Sequence, residues 1–279
     1  NPFSNNSMLE IDRSVIEEVQ VISGTFDAKY GQAMSGVVNT VLKTGSNKFD
    51  VSAETYFGDY LTADTDRYPD NNNYNPVNIQ NYQLSVSGPT GLPQTTFFAN
   101  GRKFLNKGFL FGTRRFTPFN KFDFQNLDIN PTSDNELVSM NTTDEWNGQF
   151  KITNQTFEDF QFNYQLIYNY AERTAYNHAY RFNPDGIKTN YTTSLSHGFA
   201  FTHTISQNMF YKLNLRQNFF RYTDYKFDDL LDPNYLLAGE PKGSANYEDG
   251  AIIQGVDLGR YKQRTNSYIL KGDYTLQAN

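Results

Sequence analysis

The 279 residues contain no cysteine, which excludes a disulfide framework and any thiolate metal site while remaining compatible with any compartment. There is one tryptophan, and the three histidines are His178, His197 and His203. No H-E-x-x-H, G-x-S-x-G or phosphate-cradling glycine loop is present, so the chain offers no support for catalysis and calls for no cofactor. No run of apolar residues approaches the roughly eighteen that a membrane-spanning helix requires. The formal net charge of −6, without a basic stripe, argues against nucleic acid as a partner. The amino end, Asn1-Pro2-Phe3, has neither the charged segment nor the apolar segment of a secretory leader.

What the chain has in quantity is aromatic: 20 Tyr and 24 Phe, set among polar stretches rich in Asn, Asp and Thr. That composition favours strands, in a sandwich or a barrel. From Asn47 onward the dominant period is two. Phe160, Phe162, Tyr164, Leu166, Tyr168 and Tyr170 share one face, and Gln161, Asn163, Gln165 and Asn169 share the other, with Ile167 as the exception. Similar alternation around 49–57, 82–86, 97–98, 146–152, 195–205, 211–219 and 268–276 brings the expectation to about eight strands. Mean hydropathy is −0.67, yet a membrane barrel hides its apolar band in this kind of alternation, because half of each strand is polar.

The connections separate the two architectures. Long stretches at 59–77, 105–142, 172–191 and 225–263 alternate with short ones at 88–94, 154–158 and 205–209. An outer-membrane barrel alternates in this way, with short periplasmic turns and long extracellular loops, whereas a Greek-key sandwich has no reason to. Asn106-Lys107-Gly108 has the character of a tight turn that sends 109–115 back as an extra arm within a long loop.

The stretch 24–45 is of another kind. Gly24, Gly31, Gly36 and Gly45 punctuate it, Glu18-Val19-Gln20-Val21-Ile22 precedes it as one β-prone run, and Val37 to Leu42 form a second. Ser14-Val15-Ile16-Glu17 fits a capping box, so one helical turn is expected before the first run. The order of Gly24, then Ala28-Lys29-Tyr30-Gly31, then Ser35-Gly36-Val37-Val38-Asn39-Thr40-Val41-Leu42-Lys43-Thr44-Gly45 resembles the end of the plug domain of TonB-dependent outer-membrane transporters. Ser85-Val86-Ser87-Gly88-Pro89 followed by Thr96-Phe97-Phe98 is similar to the SusC/Oar-like branch, with Ser87 where that pattern usually has glycine.

This resemblance implies an all-β fold: a sector of a large antiparallel transmembrane β-barrel, about eight strands of an expected 22, preceded by the C-terminal end of a plug domain. Residues 1–46 would be the plug part and 47–279 the N-terminal part of the barrel, an internal piece of a longer chain with two open sheet edges. Gly24, Tyr30, Gly31, Gly36, Asn39, Lys43 and Gly45 would be structural, holding the plug to the wall. The implied function is TonB-dependent uptake of a siderophore, glycan or peptide across the cell outer membrane. The implied partners are TonB with its inner-membrane energising complex, the extracellular ligand, outer-membrane lipid and a surface lipoprotein. Two alternatives stay open, an Oar-like outer-membrane protein concerned with adhesion or secreted proteins, and a secreted carbohydrate-binding β-sandwich.

Candidate ligand contacts are the loop aromatics and cations Tyr60, Arg67, Tyr68, Tyr74, Arg114, Arg115, Tyr176, His178, Tyr180, Arg181 and Tyr235, whose side chains make orientable contacts with sugars, peptides or anions. The competing expectation is that they pack the loops on one another. His197 and His203 lie on one strand face about 20 Å apart, too far to share an ion, and read as residues flanking an apolar band. Asp64, Asp66, Asp70 and Asn72 lack the glycine and closing glutamate of a calcium loop, so no metal site is expected.

Overall fold

The computed structural model describes residues 11, 13–22, 37–124, 129–245 and 247–277. A single turn of 3-10 helix, Arg13–Val15, leads into β1 (Ile16–Ile22), which pairs antiparallel with β2 (Val37–Leu42). Eight strands then form one sheet: β3 (Asp50–Gly58), β4 (Ile79–Pro89), β5 (Thr95–Asn106), β8 (Thr143–Phe157), β9 (Phe160–Thr174), β10 (Thr189–Ser206), β11 (Met209–Tyr225) and β14 (Tyr261–Leu276). Each pairs antiparallel with the next of the eight in sequence, leaving β3 and β14 as edges. The other strands make two-stranded ribbons in the long connections, β6 (Phe111–Thr113) with β7 (Leu137–Ser139) and β12 (Lys242–Gly243) with β13 (Ile252–Gln254). The arm after Asn106-Lys107-Gly108 is therefore the β6–β7 ribbon and adds no strand to the main sheet. Among the described residues no second large sheet lies over the first, which removes the sandwich alternative.

The two faces invert the polarity of a water-soluble protein. One face exposes large apolar side chains, including Trp146 at 52 %, Leu215 at 51 % and Leu270 at 77 %, while Asn81 and Ser196 on the other are each 1 % exposed. The register fixes this sorting. Phe97, Ile152, Tyr164, Phe199, Leu215 and Leu270 lie opposite one another across six strands, and the next row holds Phe98, Lys151, Gln165, Gly198 and Arg216. An apolar outer and polar inner face of this kind is that of a barrel wall in lipid. At ~3.3 Å per residue the 17 residues of β11 extend about 56 Å, far more than a band about 25 Å tall needs, so strand ends rise beyond it.

The β1–β2 hairpin lies against the inner face. Val15 and Leu42 pack with Phe98 and Ile167, all four at 9 % exposure or less, in a small apolar cluster on an otherwise polar surface. Ile167 breaks the alternation of β9 because the hairpin docks there. The Val15 carbonyl accepts from Lys43 N at 2.9 Å, and Ser14 bonds Gln83 of β4. Gly45 passes so close to β5 that a Cβ would come within 2.6 Å of Phe97 N. Glycine is needed there for approach. Asn39 donates to Gln20 Oε1 at 3.1 Å across the hairpin, and Gly24, Tyr30, Gly31 and Gly36 lie outside the described residues.

Replacing Ile167 by Asn places an amide against Val15 and Leu42 and removes an apolar seat of the hairpin, at a cost of roughly 2–4 kcal/mol of docking free energy. Limited proteolysis of the detergent-solubilised protein should then show cleavage near 16–46 accelerated several-fold while the main sheet stays resistant. Unchanged cleavage would mean the cluster does not hold the hairpin.

Candidate functional site

The long connections all leave the same end of the sheet, and three of them, 107–142, 175–188 and 226–260, fold together into a cap with its own core. Phe116, Ile253 and Val256 are fully buried there, with Met140 at 2 % and Tyr180 at 3 % exposure. Phe116 meets Phe122 and Tyr247 edge-on at 5.5 and 4.9 Å. Backbone bonds lock the three segments: the Phe182 carbonyl accepts from Arg115 N and Phe116 N at 3.1 and 3.0 Å, Gly255 N donates to Pro118 O at 2.8 Å, and Asp257 N donates to Gly186 O at 2.9 Å. Asn183, fully buried, donates from Nδ2 to the Gly255 carbonyl at 2.9 Å. Gly255 has φ +80°, and a Cβ there would overlap the Glu240 carbonyl oxygen.

The candidate contact residues divide by environment. Arg114 is an ion-pair hub, holding Asp134 at 2.9 Å, Asp185 at 2.8 Å and Glu136 at 3.2 Å. The hydrogen bond to Asp134 raises Arg114 above its ordinary value against the opposing effect of partial burial. Asp134 is held below its ordinary range, first by the Glu136 N–H and then by Arg114. Arg115 and Arg181 each lie over the Phe182 ring, at 4.6 and 5.0 Å, Arg115 donates to the Tyr247 hydroxyl at 2.9 Å, and Arg181 Nε donates to Glu248 at 3.0 Å. Tyr180 belongs to the cap core, where burial, followed by the charge of Asp257, holds its phenol well above its ordinary value. Tyr235 donates to the Phe227 carbonyl at 3.0 Å and receives Arg260 Nη1 at 2.9 Å.

Of the remaining candidates Arg67, Tyr74 and His178 are exposed, while Tyr60, Tyr68 and Tyr176 are half-buried. Tyr176 packs half-buried against the cap core and bonds His178 Nδ1 at 2.9 Å, and His178 is exposed. Tyr60 and Tyr68 flank Phe109 at 4.9 and 6.1 Å, joining the connection 59–78 to the cap, and the Tyr60 hydroxyl accepts from Asn106 Nδ2 at 3.0 Å. Arg67, with 80 % of its side chain exposed, pairs loosely with Asp64 at 3.7 Å, and Tyr74 is 57 % exposed. Asp59 organises that connection by accepting from Tyr60 N, Asn75 N and Asn78 Nδ2 at 2.8, 2.6 and 2.8 Å. Among the described residues no three His, Asp or Glu side chains come together as a metal cluster.

A second polar surface was legible only as the wet side of β9. On the inner face, Lys151, Gln161, Asn163, Gln165 and Arg216 line a cavity of about 930 Å³ that the segment 44–47 closes on one side. Further along the same face Arg102 donates to Asn81 Oδ1 at 2.6 Å and pairs with Glu145 at 3.9 Å, and Glu145 also meets Arg173. A second cavity of about 430 Å³ opens there, bordered by Arg13, Glu54 and Tyr56. A lining dominated by amides with two cations suits passage of a hydrated polar solute better than a greasy ligand.

No family model matches the chain. Among solved structures it is similar to the outer membrane transporter YddB from Escherichia coli, with a TM-score of 0.59 over 96 % of this chain. The sheet is a sector of a large β-barrel. Identity to that transporter is 12 %, so the likeness is one of fold, and the chain spans 33 % of the neighbour's length.

Replacing Gly255 by Val combines a positive-φ strain with a steric overlap, and should cost the cap about 3 kcal/mol or more. The expected result is rapid cleavage within 107–142 and 226–260 by a protease that spares the parent, with the main sheet intact. The Asp134 carboxylate has a lowered value in the folded state, so its contribution is complete above its unfolded value near 3.9 and is lost as pH falls through the lowered folded value. Acid-protease cleavage at 132–136 should therefore rise only below about pH 4, and a rise already at neutral pH in the parent would contradict this.

Proposed function

We propose that this chain is part of an outer-membrane transporter, with residues 1–46 as the end of a plug and 47–279 as the first part of the barrel wall. The observation that carries the reading is the β1–β2 hairpin seated inside the sheet on Phe98 and Ile167, facing a polar surface, while the opposite face is apolar. A separate element held against the polar inner face of a barrel closes it, and closing a barrel is useful only where passage is controlled. The fold likeness to an outer membrane transporter points the same way.

On this reading the long connections face the outside, and a polar nutrient ligand such as a siderophore, glycan or peptide meets the cap first. Arg67, Tyr74 and His178 are the candidate contacts left most available by the cap, whereas Arg114, Arg115, Tyr176, Tyr180, Arg181 and Tyr235 hold it together. The plug-like motif further suggests coupling to TonB and its proton-driven complex, which would move the hairpin and free the polar cavity beneath it. The chain's part in this is binding and gating, and no covalent step is required.

The test is fractionation of the protein from its own cells, with protease added to intact cells. Retention in the outer membrane with cleavage confined to 59–78, 107–142, 175–188 and 226–260 is the expected result. A soluble product resistant in those segments would overturn the reading. Ligand uptake that collapses on removal of TonB would then support transport over an adhesive role of the same fold.

A further inference from the structure

The outer face of β11 and β14 ends in an arrangement that is unfavourable by itself. Tyr211 faces Tyr274 near the short-turn end of this strand pair, and ten residues further along each strand Arg221 faces Arg264. Ten residues at ~3.3 Å, tilted by about 40°, rise about 25 Å, the height of an apolar band, so the two arginines stand at its upper edge on the side of the long connections. Like charges directly opposite in an antiparallel pair repel. Lys262, two residues before Arg264 on the same face, adds a third cation.

Among the described residues, no carboxylate neutralises any of the three. Arg221 reaches Thr193 Oγ1 at 3.5 Å, and Arg264 lies over the Phe219 ring at 5.3 Å. The carboxylates near this face are engaged or lie off the pair: Asp228 bonds the Tyr225 hydroxyl, Asp144 pairs with Lys103, and Glu172 is two strands away from Arg221. Polar groups lower on the same face behave differently. His197 bonds Gln217 at 3.0 Å, and Gln217 donates to Asn266 at 3.1 Å and to the Tyr268 hydroxyl at 3.3 Å, so that network satisfies itself where lipid would not. The arginine pair has no such network among the described residues.

We propose that Arg221 and Arg264, with Lys262, bind the phosphate of a phosphorylated lipid headgroup in the outer leaflet. A phosphate between two facing guanidiniums converts their repulsion into charge-assisted bonds from both sides, and guanidinium forks match its oxygens. The site lies at headgroup height with Phe219, Tyr268 and Leu270 below it, so the acyl chains of the same lipid run down an apolar face. The occupant is thus a lipid rather than a free ion. This rests on the outer face being in the membrane.

The test uses the full-length transporter of which this chain is read as a part, reconstituted in phosphatidylcholine vesicles, alone, with lipid A, or with dephosphorylated lipid A, and reads the midpoint of heat-induced barrel unfolding by gel mobility together with retained lipid by native mass spectrometry. The parent should gain stability from lipid A and none from the dephosphorylated form. The double variant R221Q/R264Q should lose that gain, retain about ten-fold less lipid A, and in phosphatidylcholine alone be at least as stable as the parent because the repulsion is gone. Equal lipid A retention by the variant overturns the site, and so does an equal gain from dephosphorylated lipid A. An equal gain from inorganic phosphate alone overturns its assignment to lipid. Failure of the parent to insert in any vesicle removes the membrane reading and this proposal with it, whereas insertion without a lipid A effect removes this proposal only.

Discussion

An unbroken antiparallel ladder governs everything else in this molecule. Because side chains alternate along each strand, a slip of one residue in any pairing would carry a whole set of aromatics to the polar face and a whole set of amides to the apolar one. Seven pairings from β3 to β14 keep the two sets apart, with tight turns such as 158–159 and 207–208 holding register at one end. At the other end the ladder imposes no such economy, and connections of many residues are tolerated because their entropy cost grows slowly with length.

Those long connections compensate by building a core of their own. The cap is globular structure on top of a wall whose own side chains point to an apolar outer face or to a polar inner one. Its cations are largely absorbed in holding it together, since Arg115 and Arg181 both lie over Phe182 and Arg114 gathers three carboxylates. A surface loop rich in arginine and tyrosine therefore has two uses for the same chemistry, and the residues left to meet a ligand are those at the periphery, such as Arg67 and Tyr74. The inner face is the complementary case. Its amides are spread along one row per strand, too dilute in sequence to look like a site, and only the sheet brings Gln165 beside Lys151 and near Arg216.

The hairpin of β1 and β2 joins these two halves of the problem. In sequence Ile167 is a lone exception to the period of β9, without a visible reason. In the structure it is the seat for Val15 and Leu42. Gly45 shows the same relation, a glycine whose need arises from the backbone of β5 some fifty residues on. Local exceptions to a strong pattern were the most informative residues in the chain, since each marked a contact with something distant.

Read alone, the sequence determined the strand count, the sorting of the two faces and the existence of a paired hairpin before the wall, because these follow from a period of two and from local turn chemistry. It could not determine which loop residues are core and which are surface. The cap joins segments more than a hundred residues apart, and burial there depends on which loop lies over which, as with Tyr180 and His178 two residues apart in one loop. The pairing of Arg221 with Arg264 was equally hidden, since register across a connection of some thirty-five residues is set by the whole ladder and not by the residues that it brings face to face.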